Sequence, residues 1–187
     1  MPGHLIRHTF VALLTAALLA AAPGPRAAAV GERLQGRRVV DVVSVDEPTS
    51  ERDHDAEGEG VTRGTVAGRA FRQASIWLRY TLRTYDDTEV TVACLCRGTE
   101  GRRVVFELLV DGQAAGTYTF ESPSSDPVLK EYRVPEKLTL GKAKISVTLR
   151  GIHGPTPGVL ELRTVQEHLE QVRLPVQSAR PCFPARA

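Results

Sequence analysis

The feature that most constrains the fold of this chain is a two-residue alternation of apolar and polar side chains within short segments. The clearest example ends at Leu82 and contains the only tryptophan of the sequence. Alternation of this kind is typical of a half-buried β-strand, with one face in the core and the other towards solvent. The two faces of this segment consist of Ile76, Leu78, Tyr80 and Leu82 on the apolar side and of Trp77, Arg79 and Thr81 on the polar side.

The same alternation recurs along the chain, and turn-forming residues separate the segments. The further predicted strands are 39–45, 89–96, 104–110, 113–120, 144–150 and 159–165. Asp111-Gly112, between two of these strands, is a dipeptide that β-hairpin turns prefer. Since no amphipathic helical run of convincing length separates the strands, we expect an all-β fold, an antiparallel β-sandwich of seven or eight strands with a jelly-roll-like arrangement. A barrel of similar strand number is the alternative.

Residues 1–29 have the features of a secretory signal peptide. A positive charge at Arg7 precedes an uncharged apolar run over 10–22, and small residues at 27–29 allow cleavage before Val30. The run is too short to cross a bilayer, and no second apolar segment is long enough to do so. We therefore expect a secreted protein, periplasmic or extracellular, without a transmembrane segment. A buried N-terminal helix is the alternative.

The charge balance argues against nucleic acid and against anionic membranes as partners. The chain has 24 Lys and Arg against 22 Asp and Glu, and residues 1–29 hold two of the basic groups and none of the acidic ones. The mature chain therefore has 22 of each and no basic excess for either partner. Its 158 residues, 187 minus 29, suit one domain. We place the β-sandwich at 38–165 and an irregular, proline-containing tail at 166–187.

Three cysteines occur in a chain that we expect in an oxidising compartment, where disulfides form. Cys94 and Cys96 share one strand face, with their Cα atoms near the upper limit for a disulfide. We expect Cys182 to pair with one of them and to tie the tail to the sheet. The alternatives are buried free thiols and a zinc site, for which three Cys provide too few ligands.

A set of short motifs between residues 38 and 165 resembles one known kind of domain. The motifs are Ser50-Glu51, His54, Gly58-Glu59, Gly68-Arg69, Phe71-Arg72, Ala74, Trp77 to Tyr80, Gly101 to Arg103, Phe106 to Gly112, Tyr132 to Pro135, Gly158-Val159 and Leu162-Arg163. Together they are similar to the small β-sandwich domain appended to bacterial glycoside hydrolases of families 127 and 146, which act on arabinofuranosides.

In those enzymes the domain is described as substrate-binding, and the chemistry belongs to a much larger helical barrel. The resemblance implies a secreted, non-catalytic carbohydrate-binding domain, an accessory of a glycoside hydrolase, for arabinose-containing glycans and without a cofactor. A structural or protein-docking module that assembles with a separately encoded enzyme is the second interpretation. A small hydrolase that uses His54 with a neighbouring carboxylate is the third.

The candidate substrate-binding residues are Glu51, His54, Arg69, Arg72 and Trp77. An exposed indole can stack on a sugar ring while guanidinium groups hydrogen-bond its hydroxyls. The alternative is structural, with the indole packed and the arginines bound to loop carbonyls or to Glu51. The acidic residues around His54 also allow a calcium site of oxygen ligands, or only a solvated loop. We expect His54, Arg69 and Arg72 to lie near one another because the loop must return to the Trp77 strand.

Overall fold

The structure, a computed structural model, describes residues 37–85 and 89–167. Its elements in chain order are β1 (Arg37–Ser44), α1 (Pro48–Asp53), β2 (Glu57–Val66), β3 (Arg69–Arg83), β4 (Val90–Arg97), β5 (Val104–Val110), β6 (Gln113–Phe120), β7 (Val128–Arg133), a 3₁₀ turn (Glu136–Leu138), β8 (Lys144–His153) and β9 (Gly158–Glu167). The predicted all-β class is confirmed, and the described residues contain nine strands where the sequence predicts seven or eight.

All strand pairs are antiparallel, and they form two sets. One set has the order β2-β3-β8-β5-β6, and the other has the order β1-β9-β4-β7. A single pair, Arg72 with Val159, connects β3 to β9 where β1 ends. This arrangement is that of a β-sandwich with jelly-roll character, as predicted.

The apolar faces of the two sets form one core. Leu78, Tyr80 and Leu82 on β3 are fully buried, and the even-numbered positions of β4 from Val90 to Cys96 are buried as well. The alternation therefore predicted the inward face of these strands correctly. Ile76 is the exception: it is 45% exposed, although the pattern places it on the apolar face.

The turn at Asp111-Gly112 joins β5 to β6, as the dipeptide predicts. Both residues have positive φ, 49° and 76°. Two consecutive residues in this region define the hairpin turn whose twist matches that of the strands, and Asp and Gly adopt it at little cost.

The polar residues that precede the Trp77 strand, from Ser50 to about residue 70, contain more regular structure than their composition predicts. The sequence indicates a turn-rich loop from Ser50 to about residue 70, whereas the structure contains α1 followed by the whole of β2. β2 pairs with β3 from Glu57 opposite Arg79 to Val66 opposite Arg69. Its glycines and charged residues give no clear alternation, because β2 lies at the edge of the sheet and is exposed over most of its length.

The ends of the chain are described only in part. The predicted signal peptide at 1–29, the tail from 168 onwards and Cys182 lie outside the described residues. β9 continues to Glu167. Gln166 is buried, and its side-chain amide bonds both the N–H and the carbonyl of Tyr85, at 2.7 and 2.9 Å. Within residues 37–85 and 89–167, no helix is long and apolar enough to span a membrane.

Candidate functional site

Glu51 on α1 is the centre of a buried ion-pair group. The residue is 4% exposed, and its Oε1 accepts a hydrogen bond from Arg72 Nη1 at 3.1 Å. Its second oxygen, Oε2, pairs with Arg63 of β2. The group therefore fastens the short helix to β2 and β3. A buried carboxylate is tolerated only when paired in this way.

His54 follows α1 and has a partner at each ring nitrogen. Nδ1 donates to the carbonyl oxygen of Ser50 at 2.6 Å, and Nε2 lies 3.2 Å from Asp41 Oδ1. Asp41 also accepts hydrogen bonds from the backbone N–H groups of Arg83 and Val42. Burial alone would raise the pKa of Asp41, but these hydrogen bonds and His54 hold it below its usual value of 3.8.

The third hypothesis, a small hydrolase, requires His54 to lie beside a carboxylate, and Asp41 meets that requirement. The arrangement nevertheless leaves no ring nitrogen free for a substrate, since Ser50 and Asp41 occupy both. A general base has to reach the proton that it removes. The His54–Asp41 pair therefore connects β1 to the end of α1, and its geometry does not favour catalysis.

Arg69, at the start of β3, contacts a different set of acidic residues. Its Nε donates to Asp46 Oδ2 at 2.9 Å, and its Nη2 lies 3.4 Å from Glu161 Oε2. Burial would lower the pKa of Arg69, but Asp46 and Glu161 raise it. Glu161, buried on β9, also accepts from Arg163. Arg69 thus links the β1–α1 turn to β9.

Trp77 lies on the outer face of β3, as its position in the alternation predicts. Its indole N–H donates to Glu59 Oε2 at 3.0 Å, and the guanidinium carbon of Arg79 lies 5.4 Å from the ring centre. The ring is half-buried between these neighbours. Arg79 in turn pairs with Glu57 on β2.

The five residues predicted to bind substrate thus have partners within the protein. Arg72 is joined to the helix that precedes His54 through Glu51, whereas Arg69 and Trp77 contact separate carboxylates. The expected single group of His54, Arg69 and Arg72 is replaced by separate ion pairs, because Arg72 meets Glu51 whereas Arg69 meets Asp46 and Glu161. A role of Glu51, His54, Arg69, Arg72 and Trp77 in substrate binding stays a prediction.

Neither of the metal alternatives has a matching arrangement in the described part of the chain. Across residues 37–85 and 89–167, no group of three or more His, Cys, Asp or Glu side chains is placed to hold a metal ion. Cys94 and Cys96 are buried free thiols with their Sγ atoms 2.9 Å apart. The hydrogen bond with Cys96 raises the pKa of the Cys94 thiol, and burial raises it further.

A pocket of about 190 Å³ lies at the end of the sandwich where β4 meets β5 and β8 meets β9. We call it the loop-end pocket. Its polar lining combines three arginines, one histidine, one glutamine and one threonine, and its apolar lining is formed by prolines, glycines and one valine. The lining residues are Gln73, Arg97, Gly98, Thr99, Arg102, Arg103, Val104, His153, Gly154, Pro155, Pro157 and Gly158.

One wall of the loop-end pocket is the β8–β9 loop, which is fixed to β3 by three hydrogen bonds, with a fourth inside the loop itself. Thr156 exchanges two of them with the backbone of Ala74: its N–H donates at 2.8 Å, and its Oγ1 accepts at 3.0 Å. Gln73 Nε2 donates to the Thr156 carbonyl at 2.8 Å, and Thr156 Oγ1 donates to the Pro157 carbonyl at 3.3 Å. Thr156 is fully buried, so water does not compete for these hydrogen bonds.

The opposite wall is the β4–β5 turn, which packs on the loop between β6 and β7. Gly98 N–H donates to the carbonyls of Ser125 and Asp126, and Thr99 Oγ1 accepts from Ser122 N–H at 2.9 Å. A Cβ atom at position 98 would lie 2.0 Å from the Ser124 carbonyl oxygen, so this approach needs glycine. Both walls are therefore held in place by hydrogen bonds within the protein.

The polar groups of the loop-end pocket are mostly hydrogen-bond donors. Arg97 Nη2 pairs with Glu100 at 3.0 Å, and the Arg97 guanidinium also lies 5.4 Å from the centre of the Phe71 ring. Arg102 is 3.7 Å from the same carboxylate. The side chains of Arg103 and His153 have neither a hydrogen bond nor an ion pair with any described residue. The pocket thus presents two side chains, Arg103 and His153, that have no acceptor among the described residues.

The sequence interpretation missed the loop-end pocket, although both of its walls were visible as turns. Residues 97–103 read RGTEGRR, and residues 151–158 read GIHGPTPG. The sequence feature that could have indicated a binding site is the presence of three arginines in the first turn and a histidine in the second. Nothing local shows that the two turns meet, because that depends on β4 and β8 ending at the same end of the sandwich.

Comparison with known proteins identifies the family. A family model described as "Family of unknown function (DUF6805)" matches residues 34–165. The chain belongs to this family. The DUF6805 match covers all the described strands except the last two residues of β9. No curated protein matches the sequence significantly.

Solved structures similar to this DUF6805 domain include carbohydrate-binding modules and part of a glycoside hydrolase. A carbohydrate-binding module of Cellvibrio mixtus lichenase 5A, solved with cellotriose, has a TM-score of 0.49 and 13% identity over 69% of this chain and 98% of that one. A family 35 module from Clostridium thermocellum has a TM-score of 0.44 and 10% identity, over 59% and 91%. A family GH115 4-O-methyl-α-glucuronidase with specificity for decorated arabinogalactans has a TM-score of 0.48 and 9% identity, over 68% of this chain and 17% of its own.

Proposed function

We propose that this domain is a secreted, non-catalytic carbohydrate-binding module that holds a glycan in the loop-end pocket. The observation that carries the proposal is a rigid pocket whose donors, chiefly Arg103 and His153, have no acceptor among the described residues. The sequence resemblance to the substrate-binding domain of glycoside hydrolase families 127 and 146 supports arabinose-containing glycans as the ligands. It also supports a glycoside hydrolase as a partner.

The chemistry of the pocket suits a sugar. Hydroxyl and ring oxygens accept hydrogen bonds, and Arg97, Arg102 and Arg103 supply N–H donors of fixed geometry. Pro155 and Pro157 add apolar surface for the C–H groups of a sugar ring. Binding sites commonly combine apolar walls with a few placed polar groups. Since the residues that line the pocket include no Phe, Tyr or Trp for stacking on a sugar ring, binding depends on hydrogen bonds and should be weak.

The rigidity of the pocket favours binding despite its small size. The β8–β9 loop and the β4–β5 turn are both fixed by backbone hydrogen bonds. A ligand therefore does not have to order the loops that contact it, and this conformational cost is removed from the affinity. The arrangement suits binding rather than acid–base catalysis, because His153 has no carboxylate partner among the described residues.

The proposal is tested by a glycan array and by titration calorimetry on the mature protein, residues 30–187. We expect arabinose-containing oligosaccharides to be retained, and Arg103→Ala to weaken that binding by about tenfold, as expected for one lost charge-assisted hydrogen bond. Arg133→Ala is the matched control, because Arg133 is an exposed arginine on β7, outside the loop-end pocket. The melting temperature of both variants should stay unchanged.

Absence of binding to any glycan on the array would overturn the proposal and would favour the protein-docking interpretation. Equal loss of affinity in Arg103→Ala and Arg133→Ala would leave glycan binding in place but would move it away from the loop-end pocket.

A further inference from the structure

We propose that the sugar bound in the loop-end pocket is anionic and carries a carboxylate or a sulfate group. The inference rests on the proposed function and specifies its ligand. It is carried by a group of three arginines, Arg97, Arg102 and Arg103, which line one pocket together.

The charges around the pocket do not balance. Three guanidinium groups line it, whereas the lining contains no Asp or Glu. The carboxylate that contacts them from outside the lining is Glu100, which pairs with Arg97 at 3.0 Å and with Arg102 at 3.7 Å. Three positive charges against one negative charge leave an excess of two at the mouth of the pocket.

This excess is local, because the mature chain has 22 basic and 22 acidic groups. Elsewhere in the described chain, several arginines on the strands are paired with carboxylates. Examples are Arg37 with Glu131, Arg79 with Glu57 and Arg150 with Glu107. Arg103 has no acidic partner among the described residues, and unlike Arg38 and Arg83, which also have none, it lines the pocket. An anion in the pocket would supply that partner.

The three arginines differ in how firmly they are held, and this difference assigns them separate roles. Arg97 is fixed between Glu100 and the Phe71 ring, and its side chain is only 24% exposed. Arg102 Nε donates to the Thr99 carbonyl at 3.4 Å, but its side chain is 71% exposed. Arg97 therefore contributes positive potential from the wall, while Arg102 and Arg103 are available to contact the ligand directly.

Guanidinium groups match the proposed anions in shape as well as in charge. The planar fork of an arginine donates two parallel hydrogen bonds to a carboxylate, and a sulfate offers oxygen atoms at similar spacing. Charges near the surface are screened by salt, so the attraction should be strongest at low ionic strength. The same pocket should still contact the neutral hydroxyls of the sugar, which gives weaker binding without the anion.

The test compares matched oligosaccharides on the mature protein: a uronate-containing trisaccharide, the same trisaccharide after reduction of its carboxyl groups, and a sulfated trisaccharide of the same backbone. We expect the uronate or the sulfated sugar to bind at least about tenfold more tightly than the neutral one at low salt. The preference should shrink as the salt concentration rises towards about 0.5 M. Comparison of the uronate-containing sugar with the sulfated one shows which of the two anions the pocket prefers.

Arg103→Gln should lower the affinity for the acidic sugar much more than the affinity for the neutral one, and so remove most of the preference. Arg103→Lys should keep part of the preference, because the charge remains while the planar fork is lost. Arg133→Gln, which removes an arginine from β7, controls for the overall charge of the protein and should keep the full preference.

Equal affinity for acidic and neutral sugars would overturn this inference and leave the proposed function standing. Failure of all three sugars and of the glycan array would overturn both. A preference that Arg133→Gln lowers as much as Arg103→Gln does would also overturn the inference, because the attraction would then belong to the whole surface.

Discussion

Arg72 Nη1 lies 3.1 Å from Glu51 Oε1, and this contact joins residues that are 21 positions apart in the sequence. Both side chains are almost inaccessible, at 12% and 5% exposure. Arg72 Nε is buried without a partner, which shows that the guanidinium is placed for the carboxylate rather than for full hydrogen bonding. The short helix α1 depends on this pair, because six residues are too few to form a stable helix alone.

Arg72→Ala should lower the stability of the fold. Removal of one partner from a buried ion pair leaves the other charge poorly compensated and lowers the free energy of unfolding. We expect a loss of about 3 kcal/mol, at the lower end for such pairs, because Arg63 still contacts Glu51 in the variant. Urea unfolding of the variant measures this cost. Arg52→Ala, an exposed arginine on the same helix, is the matched control and should change stability little. A large loss of glycan affinity with an unchanged melting temperature would instead support the sequence-based assignment of Arg72 to substrate binding.

Asp41 should make the stability of the domain depend on pH under acidic conditions. Its pKa in the folded protein lies below 3.8, so its contribution to stability is fully present above about pH 4. The contribution is lost as the pH falls through the lower pKa of the folded state. Asp41→Asn should therefore be less stable than the parent at pH 7, and the difference should shrink towards pH 2. Urea midpoints across this range, with exposed Asp53→Asn as the control, measure the effect.

Cys94 and Cys96 should be unreactive in the folded protein. Both are buried, and the raised pKa of Cys94 keeps its thiol protonated, whereas alkylation requires a thiolate. Iodoacetamide at neutral pH should leave both unmodified in the native protein and, after unfolding in urea, should modify whichever of them is not joined to Cys182. Mass mapping of the same sample tests whether Cys182 is joined to either of them. Rapid labelling of either cysteine in the native state would contradict the burial.

Gly98→Ala should destabilise the loop-end pocket. The added Cβ would lie 2.0 Å from the Ser124 carbonyl oxygen and 2.8 Å from that of Asp126, so the β4–β5 turn would have to move. Overpacking of this kind costs about 1–3 kcal/mol. Calorimetric melting should show the loss, and glycan binding should fall with it. Ser125→Ala keeps the backbone carbonyl that bonds Gly98 and serves as the control. An unchanged melting temperature would contradict the close approach of Gly98 to the Ser124 and Asp126 carbonyls.

Export should remove the first 29 residues. The apolar run and the small residues before Val30 predict cleavage at that point. Intact-mass measurement of protein recovered from outside the cytoplasm should show a new N-terminus at or near Val30. Recovery of the full chain with Met1 from the cytoplasm alone would contradict the prediction.

The sequence alone predicted the class of the fold and the inward faces of its strands. The burial of Val90, Val92, Cys94 and Cys96 follows from a two-residue period, and the Asp111-Gly112 hairpin follows from the turn preferences of two residues. Both signals are local, so they can be read without knowing which strands pair. β2 carried no such signal, because an exposed edge strand does not need an apolar face.

Only the tertiary structure decided what the polar residues contact. The strand order brings Arg72 to Glu51, and it brings the turn at 97–103 beside His153, about fifty residues later in the sequence. Thr156, which reads as part of a loop, is fully buried because its hydroxyl and backbone bond Ala74 on β3. Such contacts depend on strand order and register over the whole domain. Side-chain periodicity records which face of a strand is buried, but it carries no information about which distant loop lies opposite.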